Sequence, residues 1–498
     1  MGTHGGDGFG RGVATTRERL TRTTASRWLV AATIATVFAA LGGSEASAQL
    51  YWNTNGTSGT ITAANWSTGT TGPYTTAWSA SSAIVFTANS AITYATTPVG
   101  NLTILNSSTV TWTGGGTYGT GGAIRTFDIG AGSVLTWSGQ SVATAAGTGF
   151  IKNGAGTWNV TSSMGSNAAP GGFTLNAGRM IVSSANSLGN GPLTINGGVL
   201  EMSGNNSYNA TSLVIGGDFT LEGSGSSVLS KNGSVSLGSA TRTITNNFSG
   251  NRQITGTIAG NAGVGLTFTG TGAGTFYLAN TSNSFSGPVT VNSGEVVFND
   301  NGSLGVGNIV LDGGRITSGT MTTAGVASAL TNATIDSAKT ISVSGSAGNA
   351  IGVQSSGGVL TFNGVIADKA GSTGSWTKAG SGRLTLGGQS TYTGSTAITN
   401  GTLQLASGTD RLPTTTVVSL GQAASSNLGT LDLNGNSQQV AGLASTAGSN
   451  SGANKNTVTS SAAATLTINV ASGTYSYGVG TAANSGVITG AVSVVKSG

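Results

Sequence analysis

The segment KAGSGRLTLGGQSTYTGSTAITNGTLQL, from Lys378 to Leu405, recurs upstream as GAGTFYLANTSNSFSGPVTVNSGEVVF, from Gly272 to Phe298. Aligned on their glycines, Gly380 corresponds to Gly272, Tyr392 to Phe285, Gly394 to Gly287 and Gly401 to Gly294. The outer glycines lie 21 residues apart in one copy and 22 in the other. A looser copy runs from Lys152 to Val182 and stretches the interval between Gly154 and Gly178 to 24. Each copy leads into one more short strand phrase, GPLTINGGVLEM, GNIVLDGGRI or NLGTLDLNG. The period is therefore about 20–22 residues, within the range where self-similarity marks a solenoid.

Leu384, Leu386, Ile398, Leu403 and Leu405 alternate with polar residues, the period-two mark of strands with one buried face. About 20 residues at roughly 3.3 Å each supply three short strands and their corners. That is one coil of a right-handed parallel β-helix. The steps TNG, NSG and NAG that end at Gly401, Gly294 and Gly178 read as corners, where Gly and Asn tolerate left-handed backbone. Composition agrees: 85 Gly, 6 Pro, no Cys and 7% charged residues favour a large all-β structure over helices or a disordered tail. Without cysteine, cohesion must come from stacking and backbone ladders.

Residues 1–48 read as a secretory signal peptide. Arg11, Arg17, Arg19, Arg22 and Arg27 precede the apolar run WLVAATIATVFAALGG and a small-x-small site at Ala46 to Ala48, with cleavage before Gln49. The apolar run is too short and Ala-rich for a membrane anchor, and no later segment reaches transmembrane length. Without the leader, 14 basic and 11 acidic residues remain. So dilute a charge, with no basic patch, excludes nucleic acid as a partner. Residues 49–110 are expected to form an N-terminal cap and the first coils, and 111–498 the repeats.

The phrase from Lys378 to Leu405 resembles the autotransporter-associated β-strand repeat, which reads K-x-G-x-G-x-L-x-L, then Tyr-Thr-Gly, then N-G-T-L-x-L. The matching residues are Lys378, Gly380, Gly382, Leu384, Leu386, Tyr392, Thr393, Gly394, Asn400, Gly401, Thr402, Leu403 and Leu405. The segment YWNTNGTSGTITAANWSTG, beginning at Tyr51, is similar to the start of secreted bacterial proteins that carry these repeats. The resemblance implies a large extracellular or outer-membrane-associated β-helix, a passenger in the autotransporter sense. The closing GVITGAVSVVKSG reaches Lys496, Ser497 and Gly498 much as the segment before Lys378 leads into the strong copy. The chain is expected to stop as another repeat starts, without a translocator barrel or anchor of its own.

Little in the sequence suggests catalysis. Polysaccharide lyases and hydrolases built on β-helices need converging carboxylates with a cation nearby. The acids here are sparse, and the nearest grouping, Glu295, Asp300 and Asp312, does not stack at the repeat period. The single histidine is His4, inside the leader, so the mature chain has no His-based triad or zinc site. No enzyme activity, cofactor or metal is expected. The aromatics Tyr51, Trp52, Trp66, Tyr74 and Trp78 cluster at the mature N-terminus and read first as a cap over the open core. In a second reading Trp52, Trp66 and Trp78 stack on sugar rings. The expected function is structural and adhesive, through weak multivalent contact with glycans or other cells. A polysaccharide-active enzyme and a passive spacer displaying another domain are the alternatives.

Overall fold

Side chains that alternate inward and outward at the repeat period allow a chain to bury one face of every strand by winding, and this chain winds. The computed structural model describes residues 49–498 apart from 53–58, 61–65, 68–82, 94–99, 106, 115–116, 119–121, 140, 166–167, 185–186, 206–209, 231–232, 322–326, 329–331, 447–454 and 479–485. Among the described residues the elements are strands, with one short 3₁₀ turn at Asn301–Leu304 capped by Asp300. None is a helix long and apolar enough to cross a membrane.

Successive coils visit three sheets in turn. In mid-chain, Arg242–Asn246 lies in a fourteen-stranded sheet, Asn251–Ile254 in a ten-stranded sheet and Ile258–Ala259 in an eleven-stranded sheet. Leu266–Thr269 then returns to the first sheet and pairs in parallel with Arg242–Asn246. Later coils place Arg383–Leu386 in a seven-stranded sheet and Gln438–Val440 in a three-stranded one. Nearly all pairings are parallel. At the N-terminal end, Leu50–Trp52 pairs in parallel with Ile84–Phe86 and antiparallel with Trp66–Ser67, so that the eleven-stranded sheet ends on an antiparallel strand.

Register turns the sequence repeat into columns. Leu384 lies between Leu360 and Leu403, and Leu386 between Phe362 and Leu405. All six are essentially buried. Full burial of one such side chain stabilises by about 1.5–3 kcal/mol, and the column repeats it coil after coil. Toward the N-terminus the core is aromatic: Trp112 and Trp137 share a register position, and the Trp137 and Trp158 rings lie 5.4 Å apart at an interplanar angle of 15°.

The expected 20–22-residue coil holds where Arg179 pairs with Val199 and where Thr396 pairs with Val418. Elsewhere coils lengthen, with Ile341 opposite Ile309 and Ala350 opposite Arg315. Both spans contain the same antiparallel excursion, Thr320–Met321 against Ala327–Ser328. The strands keep register because the extra residues enter at corners, outside the ladders.

Candidate interaction surface

The repeat motif is consumed by the fold. Lys378 is fully buried, and its ammonium donates to the carbonyls of Ala379 at 3.0 Å, Gly380 at 2.8 Å and Asn400 at 2.9 Å. The first two belong to its own corner and the third to the next coil. Lys152 in the looser copy repeats the arrangement with Asn153 at 2.7 Å, Gly154 at 2.7 Å and Ala177 at 3.2 Å. Lys496 donates to Ser497 and Gly498 in the same K-x-G pattern. Carbonyl dipoles thus replace water around a buried cation. Burial pushes Lys378 down to about 7, and it pushes Lys152 down to about 8 against the opposing charge of Asp128.

The remaining motif positions are equally structural. Gly380 and Gly401 adopt φ of +74° and +69°, and a methyl group on either would sit 2.2 Å from the Val353 oxygen or 2.4 Å from the Gly382 oxygen. Gly382 donates its N–H to Val353, Gly394 donates to Gly374, and Thr402 donates to Gly382. Tyr392 is buried, its hydroxyl shares a hydrogen bond with Thr396, and Thr396 meets Thr416 at 3.0 Å. Burial pushes the Tyr392 phenol up to about 12. Thr393 donates its hydroxyl to Asp368 at 2.7 Å and its N–H at 3.1 Å. Partial burial works against ionisation of Asp368, yet these bonds and the Gly374 N–H hold it below the usual carboxylate range. The motif therefore locks corners and adjacent coils together.

Of the aromatic residues considered for stacking on sugars, Trp52 is 1% exposed and packs with Phe86 at 6.2 Å between ring centroids. This corrects that expectation at Trp52: its strand turns the indole into the core, where its faces meet protein and cannot stack on a ligand. Trp78 lies outside the described residues, as does the side chain of Trp66. Ala46 and Ala48 of the expected cleavage site are also outside them, whereas Gln49 is half-buried and accepts from Tyr51 at 3.4 Å.

The three acids grouped in the sequence, Glu295, Asp300 and Asp312, do not converge. Asp300 caps the 3₁₀ turn, Asp312 pairs with Lys369, and Glu295 pairs with Arg315 at 2.8 Å. The Lys369 ammonium holds Asp312 below the usual carboxylate range. Among the described residues no group of three His, Cys, Asp or Glu side chains could hold a metal ion.

The outward face consists of polar columns. In the fourteen-stranded sheet Thr220, Thr245 and Thr269 stand in register, beside Thr243, Thr267 and Thr290. Nearer the N-terminus, Arg179 bridges the stacked Glu201 and Glu222, reaching Glu222 at 2.6 Å. Stacked coils repeat such groups at about 4.8 Å.

Sequence reasoning missed two things here. Buried cations were not foreseen: Arg252 is fully enclosed, donating to the carbonyls of Gly225, Asn251, Met202 and Glu222 with its guanidinium 4.6 Å above the Phe248 ring. Burial pushes it down to about 10. The pairing of Glu295 with Arg315 was also missed, although each begins a strand directly after a Ser-Gly or Gly-Gly corner. Aligning copies on corners would have placed them opposite one another.

Comparison with known proteins accords with this geometry. The family model described as passenger-associated-transport-repeat matches residues 268–298 and 377–405, the two strongest copies. The adhesin BmaC autotransporter of Brucella suis biovar 1 (strain 1330) is 31% identical over 237 residues, covering 42% of this chain and 6% of that protein. The chain thus spans a small part of the length of this relative. No solved structure matches. The protein is a β-solenoid that carries two copies of the passenger-associated transport repeat.

Proposed function

We propose that this solenoid is a non-enzymatic adhesin exported to the cell surface, where its polar columns make weak multivalent contact with glycans or with other cells. The observation that carries the reading is the division of labour in the coil. The motif's Lys378 and Tyr392 turn inward, onto corner carbonyls and the Thr396 hydroxyl, while the registered Thr columns face outward. One hydroxyl gives little affinity, but a ladder of them at fixed spacing raises the effective concentration of every later contact. The similarity to an autotransporter adhesin supports the same reading.

The test is adherence of beads that carry the full chain at graded density to cultured cells and to polysaccharide-coated surfaces. Multivalent contact predicts retention that climbs more steeply than protein density. Beads that fail to adhere at any density would sink the adhesive reading. Release of reducing ends or unsaturated uronates from the polysaccharides would overturn its non-enzymatic part.

A further inference from the structure

Glu295 and Arg315 stand opposite one another at the start of successive strands of the ten-stranded sheet. Arg315 donates one Nη2–H to Glu295 Oε2 at 2.8 Å, the Thr317 hydroxyl donates to Oε1, and Thr275 reaches Oε2 at 3.4 Å. The carboxylate is thereby fixed from the sheet side. The Arg315 side chain remains 43% exposed and bonds Glu295 through a single nitrogen, so most of the donors on its planar fork face outward.

Beside this pair the sheet surface is hollow. An open trough of about 290 Å³, lined by Gly272, Gly274, Gly294 and Gly348, runs along the edge of the ion pair. At Gly294, with φ +75°, the nearest atom to an absent side chain is Asn246 Nδ2 at 3.7 Å, so the floor is clear where another residue would fill it. The Arg179–Glu201–Glu222 bridge differs, because there both terminal nitrogens are occupied by carboxylates.

The chemistry of the trough selects its occupant. Glu295 and Arg315 cancel, so the trough has no net charge with which to draw an acid or a base. It offers an acceptor and a planar donor side by side. A hydroxyl group suits such a pair because it accepts from the guanidinium while donating to the carboxylate. Two adjacent hydroxyls on one ring reach both partners at once.

We propose that the Glu295–Arg315 trough binds one sugar residue of a neutral glycan through a vicinal pair of hydroxyls. This rests on the adhesive reading above and assigns it a ligand class and a place. The experiment applies the full chain to an array of neutral and acidic polysaccharides, comparing the unaltered protein with Arg315→Met, Glu295→Gln and the remote surface variant Arg383→Met. Bead adherence to cells is measured in parallel, and circular dichroism confirms folding.

Capture by a neutral glycan is expected, weakened about ten-fold or more in Arg315→Met and Glu295→Gln and unchanged in Arg383→Met. The proposal is overturned if no neutral glycan is captured, if only acidic glycans are, or if Arg315→Met binds like the parent. Persistent bead adherence in those cases leaves the adhesive function standing without the trough. Parent beads that do not adhere remove both.

Discussion

Replacing Gly401 by Ala tests whether the corners hold the coils together. Gly401 has φ +69°, and the new methyl would lie 2.4 Å from the Gly382 oxygen and 2.6 Å from the Gly380 oxygen, both on the preceding coil. Left-handed backbone costs a residue with a side chain about 1–2 kcal/mol. The backbone shift that relieves the overlap also stretches the bond from Thr402 N to Gly382 O, now 3.2 Å, and the one from Lys378 Nζ to Gly380 O, now 2.8 Å. At about 1 kcal/mol each, these bring the expected loss to about 3–4 kcal/mol. Two other glycines separate the contributions. Gly371 has φ +77° and nothing within 4 Å, so Gly371→Ala carries backbone strain alone, about 1–2 kcal/mol. Gly357 is open and has no positive φ, so Gly357→Ala should be neutral or stabilising by about 0.5 kcal/mol. A repeat array opens in pieces, and the suitable assay is native-state hydrogen exchange read by mass spectrometry over Arg383–Leu386 and Gly401–Leu405. Equal losses in Gly401→Ala and Gly371→Ala would refute the claim that contact between coils, beyond backbone strain, fixes the corner.

Stability should rise with pH above neutrality. Lys378 sits at about 7 and Lys152 at about 8 in the folded chain, both below the ordinary value of 10.5, so the unfolded chain binds more protons between those limits. The slope approaches about 1.4 kcal/mol per pH unit for each lysine and vanishes near pH 10.5, and above pH 10 Tyr392 opposes it, because it stays neutral to about 12 in the folded chain while an unfolded tyrosine ionises. Urea midpoints of the local transitions from pH 6 to 10 measure it, and an equally steep profile in Lys378→Met would contradict the assignment. Leu403→Ala removes a fully buried side chain from the column between Leu384 and Leu431 and should cost about 2–5 kcal/mol, seen as lost exchange protection in the strands on either side. Tyr392→Phe deletes a buried hydroxyl bonded to Thr396 and should cost about 1 kcal/mol, with thermal melting as the readout.

The coil is specified along the chain. Glycine spacing and alternating aliphatic residues in the segment from Lys378 to Leu405 specify strand, corner and strand at a fixed period, because both signals act over a few residues and need no distant partner. What each side chain meets was decided by the stacking of coils. Lys378 is a motif position whose burial follows only when the next coil brings the Asn400 carbonyl to it, and the second reading of Trp52, as a sugar platform, fails because its strand turns the indole against Phe86. Glu295 and Arg315 lie 20 residues apart, one coil, so the period places them on neighbouring strands, but that their side chains meet was decided by the stacked coils. Register is a property of neighbouring coils, set where corner insertions such as the excursion between Arg315 and Ala350 are absorbed outside the ladders. The period was therefore legible along the chain, while burial, charge pairing and the trough existed only once the coils were stacked.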